Sequence, residues 1–340
     1  MKVAIISNNY GETYDGIGAF SKVIYSLFSA NVTVDVFTAK CCENEPKIKR
    51  IFTLGMSRAI LNCIKKINEF DAIILEYPFV EWNPLVVIFY RLLALRAKIN
   101  SVKLYLSVHE YSRVNKLRRL VIRTMVKNSD LVFVSNEEIK KELLLYNQEI
   151  VIRGIPTNIY GKARKKSIDS LNNYVFLGLI NGTKAFEEML NGWDKFNKDN
   201  NNTLYILSSS ELIDVEKHYG IKYIKNADNE TIFEYMNKSM FAILPIRPMI
   251  DEKNATFKTG AIAGCICIGK YCNAYNEEEF IVDMNNYTVD DFYEAFMLSK
   301  RITYEEATKM SEKSILFGEK YDPHRIAELI ENTLIEGNNI

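Results

Sequence analysis

The segment KVAIISNNYGETYDGIGAFSKVIYSL (residues 2–27) joins a short apolar run to a stretch with helical periodicity. The loop between them contains Gly11, Gly16 and Gly18 together with two acidic residues. A strand that passes through a glycine-rich turn into a helix is typical of the first unit of a doubly wound sheet. Glycine lets the backbone approach a neighbouring group closely, so we predict that this loop lies against a bound molecule.

The same alternation of apolar runs and helix-like segments continues along all 340 residues and is interrupted by a polar stretch at 154–173. Strands that are apolar almost throughout predict a parallel sheet covered by helices on both faces. We therefore predict an α/β protein with two tandem doubly wound, Rossmann-like domains facing each other across a cleft. The predicted domains are 1–158 and 159–320, followed by 321–340, and residues 303–335 are predicted to be helical.

The composition is that of an ordinary globular protein, with 48% hydrophobic and 25% charged residues. The six cysteines form no CxxC pair, which disfavours zinc and thioredoxin-like sites, and we predict no metal site. No apolar stretch reaches the about 20 residues of a membrane span. The apolar run in the MKVAIIS start is too short for a signal peptide, so a cytoplasmic location is expected.

Charge is distributed unevenly, although the formal net charge is zero. Residues 1–160 contain 22 basic and 15 acidic residues, and the remainder contains 21 and 28. Within 91–127, ten basic residues are interleaved with apolar ones, and Glu110 is the single acid. Residues 84–127 are therefore either a solvated helix face or a surface that contacts an anionic membrane. Nucleic acid is the weaker interpretation because no binding module is recognisable, and we predict no nucleic-acid partner.

The first glycine-rich loop fits a dinucleotide motif only in part. Gly16 and Gly18 match the first two glycines of GxGxxG, but Ser21 stands at the third position. Asp35 is the candidate acidic residue further along the chain. The incomplete motif disfavours a nicotinamide or flavin cofactor.

Polar residues with binding potential follow other predicted strands. His109 comes directly after the apolar run KLYLSV, where a ligand-binding role competes with a structural one. Gly178 and Lys184 lie in the next domain's first strand-to-helix turn. A lysine beside a helix N-terminus suits a diphosphate, and the alternative is a solvated surface lysine. His218 and His324 are interpreted as structural.

A second polar loop follows the predicted strand MFAILPI and contains Arg247, Asp251, Glu252 and Lys258. It leads into a helix of small residues, which implies close backbone packing or close approach of a ligand. Basic and acidic residues together in one segment suit an anionic ligand with hydroxyl groups.

Taken in order, these stretches resemble the GT-B glycosyltransferases, in particular the large retaining family 4, over nearly the whole chain. DGIGAF (15–20) is similar to the family's glycine-rich loop, which approaches donor and acceptor. SVHE (107–110) resembles the strand-end histidine that contacts the transferred sugar. IRGIPTNI (152–159) is similar to the interdomain element IPNGID. The helix after KYDPHRI (320–326) resembles the one that crosses back to the first domain.

GLINGTKAF (178–186) resembles the family motif G-R-L-x-x-x-K-G, which implies that Lys184 binds the donor diphosphate. Leu179 replaces the family's arginine at the second position. Arg247 and Lys258 are the alternative sources of the missing charge.

TGAIAGCICI (259–268) is similar to the family's EAMAxGxPVI. This match puts Thr259 on the second glutamate of the E-x7-E motif, which holds the nucleotide ribose, and Asp251 on the first. Glu252, one residue on, competes with Asp251 for that role. The predicted donor-binding residues are thus Gly16, Gly18, Gly178, Lys184, Arg247, Asp251, Glu252, Lys258 and Thr259.

The resemblance implies transfer of a sugar from a nucleotide-diphosphate donor with retention of configuration. No metal-binding cluster of the DxD kind is visible in a suitable place, so we predict a reaction without a metal or another cofactor. The predicted catalytic residues are His109, Asp15 and Lys184, and either Asp15 or Glu12 contacts the acceptor hydroxyl. The basic stretch suggests a glycan or lipid-linked acceptor for a surface polysaccharide. A sugar-nucleotide epimerase, which needs paired carboxylates, and a catalytically degenerate partner protein remain as alternatives.

Overall fold

A computed structural model describes the chain except for residues 9, 12–15, 39–47, 53–55, 78–85, 113, 212–216, 252, 276 and 339–340. The described residues divide into two compact units. Unit 1 consists of Met1–Asn158 and Pro323–Ile340, and unit 2 consists of Ile159–Asp322.

Unit 1 is built on a seven-stranded sheet in which every pair of neighbours is parallel. Its strands are β1 (Lys2–Ser7), β2 (Thr33–Thr38), β3 (Ile48–Phe52), β4 (Ala72–Tyr77), β5 (Lys103–Val108), β6 (Leu131–Val134) and β7 (Ile150–Ile152). They follow the order β3-β2-β1-β4-β5-β6-β7. The order reverses between β1 and β4, which is where doubly wound sheets bind ligands.

Helices cover both faces of this sheet. They are α1 (Gly16–Ser26), α2 (Met56–Lys65), α3 (Val86–Ile99), α4 (Lys116–Val126) and α5 (Glu137–Leu143). Buried residues of α2 to α5 belong to one apolar cluster with Ala4 and Ile6 of β1, whereas those of α1 belong to a second cluster with Val3 and Ile5 from the opposite face of that strand. An apolar strand buried on both sides is what the sequence predicted.

Unit 2 repeats the arrangement with six parallel strands. They are β8 (Asn173–Leu177), β9 (Thr203–Ser208), β10 (Ile221–Lys225), β11 (Phe241–Leu244), β12 (Ile266–Gly269) and β13 (Ile281–Asp283), in the order β10-β9-β8-β11-β12-β13. The helices are α6 (Phe186–Asn197), α7 (Asn229–Lys238), α8 (Ala255–Ile262), α9 (Val289–Arg301) and α10 (Tyr304–Glu319). The predicted α/β class with two doubly wound sheets is confirmed.

The carboxyl-terminal part of the chain is helical, as predicted for 303–335, and consists of two helices. Helix α10 ends at Glu319 and a separate helix, α11, spans Pro323–Asn338. Proline suits the first turn of a helix because the backbone N–H it lacks would have no partner there, so Pro323 begins α11. Helix α9 was not predicted, although Thr288 and Asp291 form a capping box at its start. A helix predicted at 211–218 falls largely outside the described residues.

Helix α11 packs within unit 1. Its residues Ile326, Ile330 and Leu334 are buried in the same cluster as Ile24 and other apolar residues of α1. At the surface, the backbone N–H of Ser29 donates to Oε2 of Glu331 at 2.9 Å. The last helix is therefore part of the apolar core of unit 1, which also contains the first strand and the first helix of the chain.

Candidate functional site

In unit 1 the loop after β1 leads directly into α1, which begins at Gly16. Gly11 has φ +81°, a conformation that side chains rarely adopt, and its N–H donates to the carbonyl of Gly18 at 3.1 Å. A β-carbon added at Gly16 would meet no described atom within 4 Å. Among the described residues there is thus free space beside Gly16, and the predicted residues Asp15 and Glu12 lie outside the described part of the chain.

His109 lies at the end of β5, where β4 supplies a carboxylate partner. Strands β4 and β5 pair with Glu76 opposite Ser107, so His109 follows two residues along the same edge. The Nε2 of His109 is 2.5 Å from Oε2 of Glu76. The backbone N–H of His109 donates to the carbonyl of Tyr77 at 2.9 Å. Because neighbouring parallel strands end together, residues 33 positions apart meet here.

A buried arginine completes this cluster from the other side. Arg153 directly follows β7, and its Nη2 donates to the Ser107 hydroxyl at 2.5 Å. The same Nη2 is 2.9 Å from Nε2 of His109 and 3.4 Å from Oε2 of Glu76. The hydroxyls of Ser107 and Tyr25 donate to the Glu76 carboxylate. We refer to Tyr25, Glu76, Ser107, His109 and Arg153 as the Glu76 cluster.

The ring of Phe20 in α1 covers the Glu76 cluster. It meets the His109 ring edge-to-face at 4.9 Å, and the Arg153 guanidinium carbon lies 3.9 Å from its centroid. The Arg153 side chain is 2% exposed. Its Nε and Nη1 have no hydrogen-bond partner among the described residues. The contact with the face of Phe20 partly offsets the cost of burying this cation.

The cluster is electrostatically compensated. Burial alone would raise the pKa of Glu76, but the charges of Arg153 and His109 and the hydrogen bonds from His109 and Ser107 lower it to about 2. An ionised carboxylate accepts hydrogen bonds and donates none, so Nε2 of His109 carries the proton directed at Glu76. Glu76 thereby holds the orientation of the histidine ring.

Glu76 and Arg153 were missed in the sequence as site residues. Each had a recognisable signal, because Glu76 interrupts the apolar strand AIILEY and Arg153 ends the apolar run EIVIR. A charged residue in a strand buried on both faces requires a charged or hydrogen-bonding partner. Which partner it finds depends on strand order, which the sequence pattern does not contain.

In unit 2, Gly178 and Lys184 lie close together after β8. The neighbouring strands β8 and β11 are the pair at which the strand order of this sheet reverses. Gly178 has φ +128°, and a β-carbon added there would lie 2.3 Å from the Nζ of Lys184. Lys184 also forms an isolated antiparallel bridge with Ile246, just beyond β11. The N–H of Ala185 donates to the carbonyl of Pro245 at 2.8 Å. The lysine backbone is thus tied to the segment that follows β11.

The amine of Lys184 is partly buried and lies 5.0 Å from the centroid of the Phe176 ring. Burial lowers its pKa from 10.5 to about 8. Within the described residues, no acidic side chain forms an ion pair with it. A lysine beside the first turn of α6 and without a carboxylate partner is suited to an anionic ligand.

Arg247 lies close to this lysine. Its N–H donates to the carbonyl of Thr183 at 2.9 Å, and its Nη2 donates to Oε1 of Glu188 at 2.6 Å. Lys184, Arg247 and His218 are among the residues that line a cavity of about 620 Å³ beside the first turns of α6. His218 is paired with Asp194 at 2.5 Å. Leu179, where the family motif has arginine, is exposed.

Among the described residues, the other predicted donor-binding residues do not line this cavity. Asp251 accepts a hydrogen bond from the N–H of Lys253 at 3.0 Å within its loop. Lys258 is fully buried, with Nζ 4.7 Å from the Tyr321 ring centroid, and the Thr259 hydroxyl donates to the carbonyl of Ile159 at 3.1 Å. Glu252 lies outside the described residues. Their assignment to the donor site stays a prediction. The described residues contain no group of three or more His, Cys, Asp or Glu side chains that could hold a metal ion.

No protein-family model matches the chain, and no curated protein matches it in sequence. Solved structures do match its fold. A glycosyltransferase from Rickettsia africae has a TM-score of 0.65 at 13% identity, covering 98% of each chain. An alpha-glucosyltransferase in complex with UDP and DNA containing an HMU base has a TM-score of 0.61 at 15% identity, covering 99% of each chain.

A putative UDP-N-acetylglucosamine 2-epimerase from Listeria monocytogenes is similar at a TM-score of 0.53 and 11% identity, covering 97% of this chain and 94% of the other. At such identities the likeness concerns the fold and not the reaction. The chain has the GT-B fold of these glycosyltransferases, and its membership of family 4 stays a prediction.

Proposed function

We propose that this protein is a glycosyltransferase that moves a sugar from a nucleotide-diphosphate donor to a glycan or lipid-linked oligosaccharide. The observation that supports this most directly is the Lys184 amine, which lies against Gly178 at the strand-order reversal of unit 2. A ligand phosphate can reach an amine there because residue 178 has no side chain. Structural likeness to a UDP-bound alpha-glucosyltransferase agrees with this donor class.

In the proposed reaction, charge develops on the departing diphosphate as the bond to the sugar breaks. Lys184, the N-terminus of α6 and Arg247 stabilise that charge electrostatically, without a metal ion. We assign the sugar-binding role in unit 1 to His109, oriented by Glu76, and the acceptor-binding role to Asp15. Retention of configuration and a surface-polysaccharide product, made in the cytoplasm, complete the proposal.

The alternative function, a sugar-nucleotide epimerase, is suggested by the likeness in fold to a putative UDP-N-acetylglucosamine 2-epimerase. It requires no acceptor, so incubation with UDP-sugars alone separates the two reactions. An epimerised or hydrolysed sugar formed without acceptor supports the epimerase. Stable UDP-sugar that is consumed only when a glycan acceptor is added supports the transferase.

Ligand binding provides the first test. UDP, GDP, dTDP, CMP and NAD are compared by the shift each causes in the melting temperature, since a ligand of the native state raises it by mass action. We expect one nucleoside diphosphate to stabilise the wild type and to lose that effect in Lys184→Ala. Lys162→Ala, which changes an exposed lysine of the same unit, is the matched control. If no nucleoside diphosphate binds, the degenerate partner protein becomes the preferred interpretation.

A further inference from the structure

Helix α3 in unit 1 has two apolar faces. One face is buried against the sheet and contains Val86, Tyr90, Leu93 and Ala97. The other face consists of Ile88, Leu92, Leu95 and Ile99, which are 62%, 39%, 56% and 64% exposed. Both sets follow the helical spacing i, i+4, i+7, i+11, so the second set forms a continuous stripe. A surface helix normally presents polar residues on this side; we call the exposed set the α3 stripe.

Cations border the α3 stripe. Arg91, Arg96 and Lys98 are exposed and belong to the same helix. Neither α3 nor α4 contains an acidic residue. Among the described ion pairs, none involves these three side chains. Long cationic side chains beside exposed aliphatic residues are the arrangement of a helix that lies in a membrane interface.

In the neighbouring helix α4, two of the basic residues make hydrogen bonds within unit 1. Arg119 and Arg123 are directed inward, where Arg119 donates to the carbonyl of Val114 at 3.2 Å and Arg123 to the Tyr111 hydroxyl at 2.6 Å. Leu117 and Leu120 are exposed and add aliphatic surface. Part of the basic stretch at 84–127 is therefore structural, whereas the three cations of α3, together with Lys116 and Lys127, are exposed. Residues 84, 85 and 113 of that stretch lie outside the described ones.

The α3 stripe combines aliphatic side chains with bordering cations, and this combination distinguishes among the binding partners it could contact. A second copy of the chain would place Arg91, Arg96 and Lys98 opposite their counterparts, which costs electrostatic energy. A nucleic-acid backbone would use the cations but leave four large aliphatic side chains without an apolar partner. An anionic bilayer satisfies both, because lipid head groups neutralise the cations and the interface takes up the aliphatic groups.

We propose that the α3 stripe, with its bordering cations, docks unit 1 on an anionic membrane surface with α3 parallel to the bilayer. No helix in the described part of the chain combines the length and apolarity needed to span a bilayer. Docking on this face does not require sugar transfer, so either property can be lost without the other.

Flotation of the full chain with vesicles tests the docking surface. Vesicles of phosphatidylglycerol and phosphatidylcholine in equal parts are compared with phosphatidylcholine alone, at about 0.01 M salt, where screening is weak. We expect the protein to float with the anionic vesicles only. Arg91→Gln with Lys98→Gln should lower partitioning about 30-fold, since each cation near such a surface contributes roughly a fivefold factor. Leu95→Ser with Ile99→Ser should lower it at least about tenfold.

Matched controls remove equivalent groups elsewhere. Leu316→Ser with Leu298→Ser changes two exposed leucines of unit 2, and Lys162→Gln with Lys165→Gln changes two exposed cations there. Both control pairs should float like the wild type, and all variants should keep the wild-type melting temperature. Absence of flotation overturns the proposal, as does equal flotation of the α3 variants and controls.

Two further measurements address the other occupants. A dimer that becomes monomeric in Leu95→Ser with Ile99→Ser would assign the stripe to a second copy. Duplex DNA that displaces the protein from vesicles and whose binding depends on the same aliphatic residues would assign it to nucleic acid. Wild-type nucleoside diphosphate binding in the α3 variants supports a docking role separate from the donor site.

Discussion

The Nζ of Lys184 packs against the backbone of Gly178. A Cβ added at residue 178 would be only 2.3 Å from this Nζ, which is too close for two non-bonded atoms. The backbone at Gly178 also has φ +128°, a conformation that side chains rarely adopt. The glycine thus creates the space for the lysine, and the two form one structural element. This relationship makes Gly178 as testable as Lys184 itself.

Gly178→Ala should lower the free energy of unfolding by about 1–3 kcal/mol, because alanine is strained at this φ. It should also weaken nucleoside diphosphate binding, since the methyl group displaces the Lys184 amine. Gly182→Ala is the matched control, because a β-carbon there meets no atom within 4 Å. Urea unfolding and calorimetric titration measure the two effects. Equal behaviour of both variants would show that the position of the amine is unimportant.

The lowered pKa of Lys184 should make the free energy of unfolding increase with pH in alkaline solution. Its pKa is lowered by burial from 10.5 to about 8. Between these values the unfolded chain holds the proton and the folded chain does not, so the free energy of unfolding rises with pH in this window. Lys184→Met should lose that rise, and Lys162→Met should keep it. Urea unfolding from pH 7 to pH 10 is the measurement, and parallel curves for wild type and Lys184→Met would contradict the prediction.

Nucleoside diphosphate binding should have the opposite pH dependence. A phosphate binds the protonated amine, so affinity should fall as pH rises through about 8 in the wild type. Lys184→Arg, which stays protonated, should bind without that decrease if the longer side chain fits. Titration calorimetry at pH 7 and pH 9 compares them. Unchanged affinity in the wild type would exclude Lys184 as a phosphate ligand.

Glu76→Gln should destabilise the fold by about 3–5 kcal/mol, because it leaves the buried Arg153 cation without its counter-charge. The double variant with Arg153→Met should lose less than the sum of the two single variants. The low pKa of Glu76, about 2 against an ordinary 4.5, means that this contribution is complete above pH 4.5 and is lost as pH falls through 2. Strictly additive losses in urea unfolding would show that the pair is not coupled.

Ile330→Ala in α11 should destabilise unit 1 specifically. Ile330 is buried in the cluster that α11 shares with α1, and such truncations cost about 2–5 kcal/mol. Leu329→Ala, at a partly exposed neighbouring position, should cost much less. Hydrogen exchange should show faster opening in β1 and α1 but unchanged protection in unit 2. Equal acceleration in both units would mean that they unfold together.

The sequence alone determined the class of the fold and one half of the candidate site. Strands apolar on both faces require helices on both sides, so a doubly wound arrangement follows from local pattern. Gly178 and Lys184 are six positions apart in one strand-to-helix turn, which is why their proximity could be expected from the motif. Helix α9 was missed although Thr288 and Asp291 form a capping box at its start, and Pro323 marks the beginning of the last helix, α11.

Tertiary structure decided the Glu76 cluster and the α3 stripe. Glu76, His109 and Arg153 come from three strand ends, with up to 77 positions between them, and only the order of the strands brings them together. For α3, the sequence showed apolar residues interleaved with basic ones, and only packing shows which of them face the sheet. The sequence pattern shows which residues share a face of a helix or strand. Tertiary packing determines what that face contacts, because burial depends on neighbours that are distant in the chain.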